Sequence, residues 1–437
     1  MRPKYRLMLW MTLALALADA WRTAPADAAG RMLISADEAA RVGMERMWFA
    51  QAPVDPSRSR ASSWYLNGDQ LFCVTDSGLI TALNAETGAE MWTAQVGQPG
   101  VPAFGPEAND LYVGVVSGSR VYLLERATGR LKWSRELGSA PGSGPALSAD
   151  YLYVALVTGR VEGYEIADPA AQPWYYQSKG RTFLRPTTTG NVVSWPTTEG
   201  YVYVSAADDS RVRFRLETAG DIVTSPAEQA PYLYLASLDG YLYCMHERTG
   251  SEKWRYSTGD PIMSSPAIVE DRVYVASIEP ALHCLDAATG SRLWSIRGAS
   301  HFGAKGKQRV YASDRYGNLM VLDADSGALV GRLRTAEGLE TLVNDQSDRV
   351  FLVNDRGLVQ CLREIGAEQP TYFRHSEEPA ALRSRGASET PEATAEPAVD
   401  VAAPEQPAEQ PAAFPEGAET DPLDDGADDL FDDNPFE

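Results

Sequence analysis

The feature that most constrains this chain is a beat of about 40 residues. Trp92, Trp133 and Trp174 are spaced 41 and 41, Trp254 and Trp294 are spaced 40, and Phe214 lies 40 from both Trp174 and Trp254. Ahead of the aromatic comes a second marker, in "AETGAEMW" (85–92), "RATGRLKW" (126–133), "ERTGSEKW" (247–254) and "AATGSRLW" (287–294). A third marker lies further upstream, in "LFCVTDSGLITAL", "LYVGVVSGSRVYLL", "LYLASLDGYLYCM", "VYVASIEPALHCL", "VYASDRYGNLMVL" and "VFLVNDRGLVQCL". Three markers in fixed order establish an internal repeat, and a period of this length belongs to solenoids or propellers.

The unit itself decides between those two. "DRVYVAS" (271–277) and "PALHCLD" (280–286) alternate apolar and polar residues and are rich in Val, Tyr and Leu, which predicts two short half-buried strands. The turns between such strands carry "DG", "SG" or "RG", where glycine takes the positive φ of a tight hairpin. "TG" marks another turn, "RLWSI" a third strand, and "IMSSPAI" (262–268) a fourth whose proline belongs at a strand start or sheet edge. Four short antiparallel strands per repeat make a propeller blade. A helical solenoid would need apolar residues at i, i+3 and i+4, with less Gly and Val.

Six aromatics, Trp92, Trp133, Trp174, Phe214, Trp254 and Trp294, mark six blades. A seventh (310–332) keeps the turns but has Gly331 in the aromatic slot, and an eighth (350–366) stops before its aromatic strand. The missing strand is "MWFAQ" (47–51), nearly identical to "MWTAQ" (91–95), so Trp48 completes blade 8 and the N-terminus closes the ring. The predicted fold is all-β: an eight-bladed propeller of four-stranded antiparallel blades. Each indole is expected to pack between blades with its N–H on a backbone carbonyl.

The remaining segments read differently. Residues 1–28 form a secretory signal, with basic residues, an apolar stretch and Ala18-Asp19-Ala20 as a cleavage site; cleavage near Ala28 or Ala29 is an alternative. No Cys precedes Cys73, which excludes a lipobox, so the product is expected to be periplasmic or secreted. Residues 29–46 hold a short helical lead-in, with Ser35 and Glu38 at capping-box spacing. The propeller spans 47–374. Residues 375–437 are Pro, Ala and acid-rich, with 18 acidic and 2 basic side chains, a net of -16 out of -21 for the chain. Such a tail is expected to be disordered. Within it Leu430, Phe431 and Phe436 interleave with carboxylates and are candidate contacts for a partner. No run of 18 apolar residues predicts a transmembrane segment, and no basic stripe predicts nucleic-acid binding.

The blade sequence "LFCVTDSGLITALNAETGAEMW" resembles the tryptophan-docking repeat of the pyrroloquinoline-quinone (PQQ) propellers, over roughly residues 47–366. Two branches share that repeat, the quinoprotein dehydrogenases and the non-catalytic propeller of the outer-membrane β-barrel assembly machinery. The first branch implies PQQ clamped by adjacent cysteines, with Ca²⁺ and a catalytic Asp. Here no two cysteines adjoin: Cys244, Cys284 and Cys361 occupy one equivalent slot in separate blades and Cys73 lies one strand earlier, so buried thiols are expected. No His pair has metal-ligand spacing, and no nucleophile or phosphate-loop motif occurs. The expectation is therefore a non-catalytic exported scaffold, monomeric, without PQQ or metal. The resemblance implies protein partners, with outer-membrane assembly components among them. A quinoprotein dehydrogenase and a small-ligand-binding propeller stand as alternatives.

One row of residues is predicted to line the central channel, the position before the proline of the "SSP" strand. It reads Ser63, Gly144, Arg185, Ser225, Ser265, Phe302 and Leu342, with His301 beside Phe302. Arg185, His301 and Phe302 are the candidate contacts at the channel mouth for an anionic ligand or acidic peptide.

Overall fold

The structure, a computed structural model, describes residues 32–373. Eight four-stranded antiparallel sheets follow one another as blades: 61–95, 103–136, 146–177, 187–217, 227–257, 267–297, 299–333, and finally 340–364 together with 44–51. The strands of a blade are lettered a to d from the hub outward. In blade 6 these are Ala267–Val269, Arg272–Ser277, Ala281–Asp286 and Arg292–Arg297. Strand a starts directly after Pro266, where a missing N–H costs no ladder bond. The a strands of neighbouring blades touch one another through blades 1 to 6, which sets them around the axis.

The repeated beat of "TG" and Trp has one physical cause. In five blades the aromatic lies on the turn glycine of the next. A Cβ on Gly88 would sit 2.4 Å from Trp48, on Gly129 2.4 Å from Trp92, on Gly250 2.7 Å from Phe214, on Gly290 2.6 Å from Trp254, and on Gly327 2.6 Å from Trp294. These glycines also have positive φ, 68° to 71° for the last four, so both backbone and space exclude a side chain. A second aromatic, on strand b, backs the first: Phe72–Trp92, Tyr234–Trp254, Tyr274–Trp294 and Phe351–Trp48 have ring centroids 5.9, 5.9, 6.0 and 6.1 Å apart. Each tilted pair adds about 0.5–1.5 kcal/mol beyond its buried area.

The indole N–H groups correct one expectation. Trp92, Trp133, Trp254 and Trp294 donate to the carbonyls of Arg126, Ile166, Ala287 and Ala324 at 2.7, 3.3, 3.0 and 2.9 Å. Trp48 and Trp174 donate to nothing, although their N–H groups are buried. Trp174 has instead turned its ring over Gly163 of its own blade, and the Tyr153 hydroxyl donates to Ala207 O at 2.7 Å, the carbonyl equivalent to those that accept the other indoles.

Ring closure is made by Met44–Gln51, which pairs antiparallel with Leu358–Glu364 and sets Trp48 opposite Cys361. The closing strand therefore starts three residues before 47. In blade 7 Gly331 occupies the docking slot, opposite Val321, and a Cβ there would meet Val42 Cγ1 at 2.8 Å. Val42 caps helix α1 (Ala36–Arg41), whose capping box is complete: the Glu38 N–H donates to Ser35 Oγ, and the Ser35 N–H to Glu38 Oε2, both at 3.2 Å. Ile34, Ala39 and Met44 are buried in one cluster with Val321, Leu333 and Leu362. The lead-in thus replaces the indole that blade 7 lacks.

All four cysteines are free and buried. Cys244, Cys284 and Cys361 each stand directly across the ladder from the docking indole of their blade, Trp254, Trp294 and Trp48. Burial raises the Cys244 and Cys284 thiols to about 11 and Cys73 to about 12, and pushes Cys361 up as well. These thiols are core atoms.

Candidate functional site

The faces of the disc differ in construction. On one face the b–c turns lie beside the linkers that carry the chain from strand d to the next strand a. Backbone bonds fix this, Thr198 N–H to Arg181 O at 2.9 Å, Leu238 N–H to Asp221 O at 2.9 Å and Ile278 N–H to Pro261 O at 2.9 Å. Each linker then dips over the rim of the channel before its proline.

The row predicted to line the channel divides. Ser225 donates to Arg185 O at 3.0 Å and Ser265 donates to Ser225 O at 3.2 Å, so these three blades are laced together around the hub. Gly144 is buried; an added Cβ would come within 2.8 Å of Gly105 N, so this position is a close contact between blades 2 and 3. Ser63 and Leu342 are half-buried. Phe302 is a correction: it is 5% exposed and stacks on Tyr274 with centroids 4.6 Å apart, inside the core between blades 6 and 7. His301, its neighbour on the strand, is exposed. The strand bulges at both Ala299/His301 and Phe302/Ala304, which turns the phenyl ring inward.

Arg185 does reach across the hub, but its charge is already matched. Its guanidinium pairs with Glu107 Oε2 at 2.6 Å, lies 5.5 Å from the centroid of Tyr65 and donates weakly to Pro106 O at 3.4 Å. One side chain of blade 4 therefore ties to blades 1 and 2. An anionic ligand would have to displace Glu107, so the geometry makes Arg185 a brace.

The residues that stand out lie two positions earlier in the same linkers. Phe183, Val223 and Met263 hold one equivalent slot in blades 4, 5 and 6 and are 49%, 38% and 56% exposed. The residues before them, Thr182, Ile222 and Ile262, are buried and anchor each linker. Ile278, exposed on the b–c turn of blade 6, extends the row. Three successive blades thus present large apolar side chains along one arc of the channel mouth, with Arg181 and Asp221 at its polar edge. Scattered surface apolar residues carry no message, but a row in equivalent slots does. Sequence reasoning fixed on the residue before the proline and missed this row. The signal was present, as apolar residues in linkers that otherwise read as loops.

Catalytic equipment is a different matter. Among the described residues no group of three His, Cys, Asp or Glu side chains could hold a metal ion. The isolated, buried thiols cannot form a clamp of adjacent cysteines, so the residues present do not fit bound PQQ. His283 is buried, with Nδ1 3.0 Å from Tyr256 Oη, and burial lowers its pKa. Among the described residues no helix is long and apolar enough to cross a membrane. Leu430, Phe431 and Phe436, like the signal segment and the tail, lie outside the described residues.

Known proteins share this architecture. The BamB of Moraxella catarrhalis superposes with a TM-score of 0.58 at 17% identity, over 73% of this chain and 97% of that one. The computationally designed Ika8 protein does so with a TM-score of 0.58 at 16% identity, over 72% and 98%. In sequence, the outer membrane protein assembly factor BamB of Bordetella pertussis is 26% identical over 200 residues, 42% of this chain and 50% of that protein. The serine/threonine-protein kinase AfsK of Streptomyces griseus is 30% identical over 125 residues, 26% of this chain and 15% of the kinase. The chain thus spans half or less of the curated relatives it matches. The family model described as "Outer membrane protein assembly factor BamB" matches residues 20–168, 117–232, 199–304 and 282–395 in overlapping stretches. With that match running through the whole propeller, the chain belongs to this family of PQQ-like β-propellers.

Proposed function

We propose that this protein is a non-catalytic scaffold of the periplasm that serves the assembly of outer-membrane proteins. The observation that carries the reading is the arc of Phe183, Val223 and Met263, an apolar strip on a rigid rim with a polar edge. A propeller presents such a strip without moving, so little ordering cost falls on this side of the interface. Family membership supplies the class of partner, an outer-membrane assembly component. The signal-like pattern of residues 1–28, basic then apolar then Ala-Asp-Ala, supports the compartment. On this reading the ring holds no quinone, and its chemistry is that of packing.

A photocrosslinking residue placed at Phe183 or Met263, in cells of the native host, tests it. Both positions should yield an adduct with an outer-membrane assembly component, while Lys307, exposed on the opposite face, should yield none. Adducts equally frequent at Lys307, or absent from both arc positions, would sink the reading.

A further inference from the structure

On the face opposite the apolar arc, one turn carries a carboxylate in a slot where another blade puts a guanidinium. Glu247 of blade 5 lies three residues after Cys244, which faces the docking Trp254, and its N–H donates to Pro231 O at 2.9 Å. Arg126 of blade 2 lies three residues after Leu123, which faces Trp133, and its N–H donates to Leu111 O at 2.8 Å. The two side chains therefore leave equivalent backbone positions, each at the junction with the preceding blade.

Arg126 fills its junction with donors. Its guanidinium donates to Asn67 O, Asn67 Oδ1 and Asp69 Oδ1 on the a–b turn of blade 1, and to Asn109 O on the turn of its own blade, all at 2.8 Å. At the junction of blades 4 and 5 the positions of Asn67 and Asn109 are held by Thr189 and Gln229. Thr189 closes its turn on Val192 as Asn67 does on Gln70, and Gln229 pairs with Tyr232 as Asn109 does with Tyr112.

Glu247 thus sets a carboxylate among acceptors. It is 2% exposed, its Oε2 is buried without a donor, and among the described residues no ion pair reaches it. Thr189, 8% exposed, has a buried Oγ1 that is likewise unpaired. The docking aromatic here is Phe214, which has no N–H to give to Glu247 O as Trp92 gives to Arg126 O. Blade 8 also has a carboxylate in this slot, Glu364, but there the Tyr311 hydroxyl donates to it at 3.3 Å. Ser194 takes the place of that tyrosine in blade 4, and it donates to Thr187 O at 3.4 Å instead.

A buried charge needs a counter-charge. One carboxylate beside hydroxyl and carbonyl oxygens is the donor set of a hard cation. Turn carbonyls at irregular angles suit the flexible shell of Ca²⁺ better than the strict octahedron of Mg²⁺. We propose that Glu247, Thr189 and the adjoining turn carbonyls bind Ca²⁺, which does for blades 4 and 5 what the Arg126 guanidinium does for blades 1 and 2. With a single carboxylate the site belongs among weak calcium sites, with a dissociation constant of about 0.1–1 mM.

The test is urea unfolding of the full chain in 5 mM CaCl2 against EDTA, at constant ionic strength. Calcium should shift the parent's unfolding equilibrium toward the folded ring by about six- to fifty-fold. Glu247→Gln should lose that response and, in EDTA, unfold at higher urea than the parent, because no uncompensated charge is left. Thr189→Val should respond less than the parent. Glu364→Gln removes the same charge from the same slot of blade 8 and should respond as the parent does. Calcium held by the acidic residues 375–437 is common to all four chains and cancels. Magnesium at the same concentration should move the parent less than calcium. A parent indifferent to calcium, a response undiminished in Glu247→Gln or Thr189→Val, or magnesium equal to calcium overturns the proposal.

Discussion

The junction between blades 5 and 6 and the junction between blades 7 and 8 solve one packing problem in two ways. At the first, Trp254 lies on Gly290, is backed by Tyr234 at 5.9 Å and donates to Ala287 O at 3.0 Å. All of these come from within 60 residues of sequence. At the second, Gly331 holds the slot, and Val42, Ile34 and Met44 arrive from the far end of the chain. Polar bonds bring them in, with Ile34 N–H on Gln360 Oε1 at 3.1 Å and Arg46 on Ile34 O at 2.6 Å. Beside this seam the guanidinium of fully buried Arg349 meets Asp348 at 2.9 Å, Glu86 at 3.2 Å and Ala367 O at 3.2 Å. A repeat protein can write its ordinary junctions locally. Its last junction must be made from distant parts, and so it is where the ring is both sealed and most exposed to failure.

The largest effect should come from opening that seam. A chain beginning at residue 53 loses α1, the closing strand and Trp48 together, leaving Leu358–Glu364 as an unpaired edge. Loss of the half-buried Trp48 indole adds to that cost. Thermal melts should show a collapse of the cooperative transition, or aggregation before it. A melting temperature equal to the full chain's would mean the seam adds nothing.

A smaller effect separates local from distant packing. Trp254→Ala should cost about 3–5 kcal/mol in urea unfolding, because a rigid turn glycine cannot collapse into the space. Gly331→Trp restores the repeat at blade 7 yet should destabilise by about 1–3 kcal/mol, because Val42 already occupies the site. If Gly331→Trp raised stability, the lead-in would be a loose cover and the comparison would fail.

How much of this was legible follows the same division. Blade count, strand order and closure could be read because each blade repeats its instructions in Trp, "TG" and the apolar alternation. The link between Trp and "TG" could not, since it joins residues of different blades, and "TG" alone reads as a turn. Gly331 could be seen as an empty slot, but its filler, Val42, has no sequence mark that ties it to blade 7. At the channel, the position before the proline was a sound guess, yet Arg185 proved braced by Glu107 and Phe302 proved buried by a pair of bulges. The exposed arc rests on a linker that alternates buried and exposed residues without a regular strand, a pattern no periodicity reports.

The finest comparison concerns a single N–H. Trp254 and Trp48 occupy the same slot of the repeat, opposite Cys244 and Cys361. The first indole donates to Ala287 O, whereas the N–H of the second, half-buried indole is buried with no acceptor. Replacing either by Phe removes the same atoms, and half-buried Trp48 should lose no more packing than Trp254, which is 8% exposed. What is left is the hydrogen bond. Trp254→Phe forfeits a bond worth about 1 kcal/mol, while Trp48→Phe removes a donor whose burial unpaired costs about 1–3 kcal/mol. Urea unfolding should therefore find Trp48→Phe the milder substitution by about 2–4 kcal/mol, even though Trp48 stands on the strand that closes the ring. Equal losses in the two variants would show that the Trp48 N–H finds a partner in solution, and that the junction of blades 8 and 1 repeats the ordinary one after all.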